Sequence, residues 1–294
     1  MKAKILYATL SCLLFVVPLQ AQSLEELLNE KLKKEAEPEY TMATFKYGRV
    51  INGQSVENTG RGDLVFLVSH RFGTLNSGFY NFFGLDNATT RLQLDYGITD
   101  RINVGIGRST YQKTWDGWAK FKVLRQGTGP STLPFTLSVV LAGDAMTLKD
   151  PAAEKTYSFA NRLNYVTQIL AARKFGPRFS LQLSPTYIHK NLVSRRIDQN
   201  NIFAIGSGAR FKLGNHVSLN AEYYYLLPGQ TADDYRDSFS IGVDLETGGH
   251  VFQLHLTNSR SMIESEFITE NTGSWFDGNI HFGFNISRVF GLGR

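Results

Sequence analysis

From Leu64 onward, apolar side chains recur at every second position. Phe135, Leu137, Val139 and Leu141 alternate with Thr136, Ser138, Val140 and Ala142. Phe239, Ile241, Val243 and Leu245 alternate with Ser238, Ser240, Gly242 and Asp244. Phe179, Leu181 and Leu183, then Val217, Leu219, Ala221 and Tyr223, then Ile280, Phe282, Phe284 and Ile286 repeat the pattern. On a helix this period scatters apolar groups around the axis; on a strand it gathers them on one face. Each segment therefore reads as a strand with one apolar face and one small or polar face. About twelve are expected, near 63–72, 90–97, 102–111, 117–125, 134–144, 159–174, 179–189, 201–213, 217–227, 237–246, 250–258 and 278–290.

The connections narrow the fold further. Short ones, 98–101, 126–133, 175–178, 214–216 and 247–249, alternate with longer ones at 73–89, 112–116, 145–158, 190–200, 228–236 and 259–277. Only 112–116 is short in the long series. Short turns at one end and long loops at the other mark an outer-membrane barrel, and an even strand count returns both termini to the short-turn side, the periplasm. Strands can cross lipid only when the sheet closes and leaves no unpaired edge. Tyr96, Tyr111, Trp115, Tyr187, Tyr225, Trp275 and Phe290 fall near strand ends, where interfacial aromatic girdles belong. The expected fold is all-β, a transmembrane antiparallel up-and-down β-barrel of about twelve strands over 63–294, with a short N-terminal helix. The cell outer membrane is its expected location. Composition agrees, with 13% aromatic residues, 27 glycines and only 19% charged residues.

The first 21 residues read as a signal peptide. Lys2 and Lys4 precede the apolar run from Ile5 to Val17, Pro18 breaks it, and Ala21 offers a small residue at the cut. The run is short for a membrane helix. Cys12, the one cysteine, lies inside it, so the mature chain holds no thiol for disulfides, Fe–S clusters or nucleophilic catalysis. Without Lys2 and Lys4 the charge balance is 29 basic to 26 acidic residues, too mild to suggest nucleic acid. Residues 22–62 form a periplasmic lead-in. Ser23 and Glu26 make a capping-box pattern for a helix to Lys34, and Leu24, Leu27, Leu28 and Leu32 share one face. This lead-in is either a tether or a plug that enters the lumen; the tether is the plainer reading.

Three stretches carry a family resemblance. They are Ser69-His70-Arg71-Phe72-Gly73; Phe83-Gly84-Leu85-Asp86-Asn87-Ala88-Thr89 leading into Tyr96-Gly97-Ile98-Thr99-Asp100; and Gly105-Ile106-Gly107-Arg108-Ser109, with Gly249-His250-Val251-Phe252-Gln253-Leu254-His255-Leu256-Thr257-Asn258 downstream. These resemble a family of Bacteroidota outer-membrane barrel-like proteins classed as a domain of unknown function (number 5777). The resemblance covers most of 44–290. It implies the location, and it brings no activity and no site residues.

Strand phase nominates the lumen wall. The basic candidates are Arg91, Lys120, Lys122, Arg162, Arg210 and Lys212; the acidic ones are Asp95, Glu222 and Asp244; His255 and His281 join them. Six basic against three acidic groups predict weak anion preference in any water-filled path, unless counter-ions from a plug or loops cancel it. His255-Leu256-Thr257-Asn258 is close to the His-x-Ser-Asn arrangement of some outer-membrane lipid hydrolases. A hydroxyl two residues from an imidazole shares its strand face and could be activated by it. Against catalysis, the hydroxyl is Thr257 rather than a serine, and the pair should point inward, away from lipid. A lumenal hydrogen-bond pair is the plainer reading.

No metal site is expected, because His70 and His281 lack ligand-spaced partners. Gly105-Ile106-Gly107 lacks the third glycine and the helix of a nucleotide loop. Arg108 sits at the outer end of its strand, where it can snorkel to headgroups. No cofactor is expected. The leading expectation is a passive channel or transport-type barrel for small solutes, in contact with outer-membrane lipid and the barrel-assembly machinery. The alternatives are a lipid-modifying enzyme using His255 and Thr257, and a closed scaffold whose loops at 73–89 and 259–277 bind a partner.

Overall fold

The computed structural model describes residues 24–35, 38–130, 132–149 and 158–292. The signal-peptide reading of 1–21 and Ser23 of the capping box lie outside them. Helix α1, Leu24–Glu35, opens with Glu25 and Glu26 in its first turn, where acidic groups suit the positive end of the dipole.

Twelve strands form the barrel: β1 Asp63–Thr74, β2 Ala88–Gly97, β3 Ile102–Ser109, β4 Trp115–Leu124, β5 Thr136–Ala145, β6 Leu163–Lys174, β7 Phe179–Lys190, β8 Asn201–Lys212, β9 Val217–Leu226, β10 Ser238–Thr247, β11 His250–Thr257 and β12 His281–Gly291. Each pairs antiparallel with its sequence neighbours, and β12 returns to β1, so the sheet is a closed barrel without edges. Asn285 opposite Ser69 and Phe290 opposite Leu64 fix the closing register. The tightest connection is the two-residue turn at 248–249, where Gly249 takes φ of 102°. The connections 98–101, 175–178, 213–216 and 248–249 share one end of the barrel with the start of β1 and the end of β12.

The alternation sorts the two faces. Leu92, Leu94, Ile106, Leu183, Phe203, Ile205, Leu219 and Leu254 lie on the exterior, exposed. Their neighbours Arg91, Gln93, Asp95, Gln182, Ser184, Ser218, Asn220 and Gln253 are buried inside. Of the expected girdle residues, Tyr96, Trp115, Tyr187, Tyr225 and Phe290 are exposed at strand ends. Tyr111 instead sits in a turn beneath the guanidinium of Arg260, and Trp275 donates its indole N–H to the Phe239 carbonyl.

Candidate functional site

The barrel interior is occupied by the chain itself. Between Thr41 and Gly62 the lead-in runs inside the wall as a hairpin, with Val50 N–H bonded to the Gly53 carbonyl at its tip and Arg49 bridged to Gln54. At its exit it bridges to the barrel, Arg61 to Gly97, with Gly62 N–H on the Gly97 carbonyl at 2.8 Å; along 44–57, side chains of the wall bond its backbone. The tip exposes three successive N–H groups, from Ile51, Asn52 and Gly53, and the Glu222 carboxylate of β9 accepts all three at 3.1, 3.1 and 2.9 Å. Such a run of amides is an anion-binding concavity, and a wall carboxylate fills it. On β4 the complementary clamp is Lys120, whose ammonium donates to the carbonyls of Gly48, Ser55 and Glu57 at 3.2, 2.8 and 2.8 Å. Three donors meet three acceptors, so the buried charge keeps its hydrogen bonds.

Amides of the wall read the rest of the hairpin. Gln182 accepts from Val56 N–H at 2.9 Å and donates to the Gln54 carbonyl at 2.8 Å. Gln253 and Asn285 donate to the Val50 and Ile51 carbonyls. Arg71 donates to Asn52 Oδ1, and Asn52 donates to Ser240. Phe45, Val50, Ile51 and Val56 pack with Trp118, Val140 and Leu170 in a small apolar cluster. Tyr224 fits only because its cross-strand partner is Gly206 and the tip residue is Gly53. A Cβ would stand 2.5 Å from Tyr224 Cε1 at the first and 2.0 Å from its Oη at the second. At the short-turn end, Glu246 holds Lys46 and Arg210, and Lys174 donates to the Met42 carbonyl.

From the opposite end, the β11–β12 connection 258–280 turns inward. The sequence placed 259–277 outside as a loop. That expectation is corrected for 261–269, which is buried throughout. The physical reason is the apolar residues at the two ends of a short helix, α2 Glu264–Phe267: Met262 and Ile263 precede it and are buried, and Phe267 and Ile268 at its end pack against Val166, Ile188, Ile202, Ala204 and Tyr224 of the wall. The two inserted segments meet at a buried ion pair, Arg49 Nη1 to Glu264 Oε1, 2.9 Å. The Arg49 guanidinium also donates Nε–H to Gln93 and lies over Trp118 at 5.5 Å.

Arg91, Asp95, Lys120, Arg210, Glu222, Asp244, His255 and His281 of the expected wall are all buried. Lys122 is half-buried, 3.7 Å from Glu57, and Lys212 is half-buried at the last position of β8. Arg162 falls one residue before β6, in a single 3-10 turn at the loop end, because β6 starts four residues later than the alternation suggests. The reading missed Arg71, Asp116, Asp144 and Lys190, all buried. Each continues the inward phase of its strand: Arg71 and Asp144 lie inside the expected ranges 63–72 and 134–144, and Asp116 and Lys190 lie one residue outside 117–125 and 179–189. Asp116 pairs with Arg91 through two hydrogen bonds, Nε to Oδ1 at 3.1 Å and Nη2 to Oδ2 at 2.5 Å. Arg49, Glu264 and Glu266 lie outside the strands and carried no periodic signal.

His255 and Thr257 do face the interior but do not meet. Thr257 Oγ1 accepts from Ser240 at 2.8 Å and from Ser259 N–H at 3.1 Å. Among the described residues, neither ring nitrogen of His255 has a hydrogen-bond partner. Asn258, which would orient a catalytic imidazole, uses its side chain on Phe239, Asp237 and Gly273. Thr257 and Asn258 brace neighbouring residues, and with His255 they form no relay. Among the described residues no group of His, Cys, Asp and Glu has the geometry of a metal site.

The family model for the membrane bound beta barrel domain (DUF5777) matches residues 45–290. The chain belongs to that family. The match begins inside the lumenal hairpin, so the DUF5777 domain includes the inserted segment as well as the strands. An apolar exterior, a polar interior and full closure make this DUF5777 chain an outer-membrane barrel. No curated protein matches. Among solved structures, the chain is similar to the NanC porin, with 8% identity and TM-score 0.48, over 77% of this chain and 98% of that one. It is similar to the KdgM porin in complex with disordered oligogalacturonate, with 7% identity and TM-score 0.49, over 78% and 99%. An outer membrane channel from Pseudomonas putida F1 gives 14% identity and TM-score 0.44, over 84% and 100%.

Proposed function

We propose that this DUF5777 barrel is a channel or transport-type barrel for small solutes, held closed by two of its own segments. The observation that carries the reading is how the hairpin is held. Residues 44–57 lie against a polar wall through side-chain hydrogen bonds and ion pairs, and they add no strand to the sheet. Water can replace such bonds one for one, so the hairpin can leave without unzipping the barrel. The wall it would uncover, with Gln93, Gln182, Ser184, Ser218, Asn220 and Gln253, is of the kind that lines a wet path. Twelve strands give a lumen between the filled eight-stranded barrels and the open porins, so only small solutes would pass.

The anion preference expected from Arg91, Lys120, Lys122, Arg162, Arg210 and Lys212 does not carry over into this proposal. The buried wall sets Arg71, Arg91, Lys120, Lys190 and Arg210 against Asp95, Asp116, Asp144, Glu222 and Asp244. A balanced wall supports weak selectivity of either sign. On the family resemblance, the setting is the outer membrane of a Gram-negative Bacteroidota organism. Export follows cleavage after Ala21, and the barrel-assembly machinery inserts the chain. The lipid-modifying reading of His255 and Thr257 has no supporting contact. The scaffold reading keeps the exposed loop 75–87, with Phe79 and Tyr80 at its tip.

The test is planar-bilayer conductance of refolded protein, with folding verified by heat-dependent gel mobility. The intact chain is expected to be largely silent, and a variant lacking 44–57 to show discrete, salt-dependent steps. A verified barrel that stays silent after loss of both 44–57 and 261–269 overturns the channel reading.

A further inference from the structure

At the loop end, a cavity of about 320 Å³ opens between the β11–β12 connection and the turn at Tyr111. That is the size of a small-molecule pocket, at the lower end of the usual range. Two charged groups line it without an ionic partner. Arg260 is exposed, its guanidinium 5.2 Å above the Tyr111 ring, which fixes its position while leaving its N–H edge free. Glu266 is buried, with Oε1 accepting from Thr114 at 2.7 Å and Oε2 from Ser261 at 2.5 Å. None of the ion pairs among the described residues uses either group. The remaining carboxylate of the cavity, Glu270, is engaged by Lys190 at 2.5 Å and Ser194 at 2.8 Å. Asn271, Asn279 and Thr272 complete a neutral, hydrogen-bonding wall.

We infer that this cavity binds a small zwitterion, with a ligand ammonium on Glu266 and a ligand carboxylate on Arg260. A buried carboxylate with only hydroxyl partners lacks the cation that burial usually demands, and a ligand ammonium supplies it. An arginine edge is the preferred planar partner for a carboxylate. Two fixed, opposite, unpaired charges in one cavity select molecules carrying both, in the class of free amino acids, over molecules carrying either one. The inference rests on the channel reading, since it names the solute class that its mouth would capture.

Ionisation supports the assignment. Burial pushes the Glu266 carboxyl up to about 7, with Asp144 and Glu270 adding to the rise and Ser261 and Thr114 opposing it. The charged or titratable groups around it are Asp144 of β5, Arg162 just before β6, Lys190 of β7, His281 of β12, Tyr111, and Arg260 and Glu270 of its own connection. An ammonium binds the ionised form, so binding should release a proton and should weaken at pH 6 relative to pH 8.

The experiment is ligand titration of the folded full-length barrel in detergent, read by saturation-transfer NMR or calorimetry. The probes are glycine, β-alanine, 4-aminobutanoate and 6-aminohexanoate, which keep both charges and vary their spacing. Alkylamines and carboxylates of matching length are the single-charge controls. At least one zwitterion should saturate about tenfold more tightly than both of its controls, and Arg260→Ala and Glu266→Gln should each weaken it about tenfold. Arg260 is exposed, so its variant keeps the test sound if Glu266→Gln fails to fold. If no zwitterion outcompetes its controls, or Arg260→Ala leaves binding intact, the inference is wrong. Binding by the full-length barrel, with silence after loss of both 44–57 and 261–269, would count against the channel reading alone; conductance after that loss, without binding by the full-length barrel, would count against this site alone.

Discussion

Arg49 Nη1 lies 2.9 Å from Glu264 Oε1, and this buried pair joins the segment entering from the short-turn end to the one entering from the loop end. The two residues are 215 positions apart in sequence and both almost fully buried. Taking one partner from such a pair typically costs about 3–5 kcal/mol, because the other charge stays buried alone. Arg49→Met should therefore loosen both segments, seen as faster amide exchange at 50–53 and 262–268. Arg49→Met combined with Glu264→Leu should recover much of the loss. Unchanged exchange in the single variant would show that the pair does not couple the segments.

Glu222 is the acceptor for three amides that have no other carrier in the hairpin tip. Glu222→Ala leaves them unsatisfied, at about 1–3 kcal/mol each. Exchange at Ile51, Asn52 and Gly53 should rise by orders of magnitude while amides of β8 and β9 hold their rates. Equal acceleration in the strands would mean that Glu222 supports the barrel rather than the hairpin.

The fit of Gly53 against Tyr224 sets a steric test. A methyl group at Gly53 meets the tyrosine hydroxyl at 2.0 Å. Gly53→Ala should push the tip away from the wall, raise the frequency of conducting events and expose 44–57 to protease. Adding Tyr224→Leu should reverse part of this. Protease resistance equal to that of the parent protein would contradict the packing.

Glu266 predicts a pH dependence with a definite sign. Its carboxyl is raised from 4.5 to about 7, first by burial and then by Asp144 and Glu270. Between these values the folded state holds a proton that the unfolded state releases, so stability falls as pH rises. The turn at 261–269 should be held best below about pH 4.5 and should loosen as pH passes through 7. Exchange at Phe267 and Ile268, corrected for intrinsic rates, measures this at pH 5 and pH 8. Glu266→Gln should flatten the dependence; a dependence that survives the change would assign it to another group.

His255 separates the channel and enzyme readings. With no hydrogen bond to Thr257, it has nothing to activate. The protein should release no fatty acid from phospholipid micelles above a blank, and His255→Ala should leave conductance of the hairpin-deleted barrel unchanged. Turnover lost on His255→Ala would restore the lipid-hydrolase reading.

The strands were legible because a half-buried strand writes its environment into every second residue. Arg91, Lys120, Arg210, Glu222 and Asp244 could be assigned inward from phase alone. Asp116 and Lys190 escaped because they lie at strand ends, where the alternation gives no boundary. Tyr111 was assigned to a girdle by its position near a strand end, yet it serves the loop-end cavity, since a one-turn connection can point a ring either way.

Residues 41–62 and 258–280 mark the limit of such reading. Their composition shows apolar residues such as Phe45, Ile51, Met262 and Phe267, but their spacing names no partner. That the strands alternate, close and cross a membrane could be read along the chain, because it follows from a local period and from the cost of unpaired backbone in lipid. Only the tertiary structure decided that the lumen is filled from both ends and that Arg49 meets Glu264. Those contacts depend on side chains that converge from strands far apart in the chain, and no local pattern encodes which buried charge will find which partner.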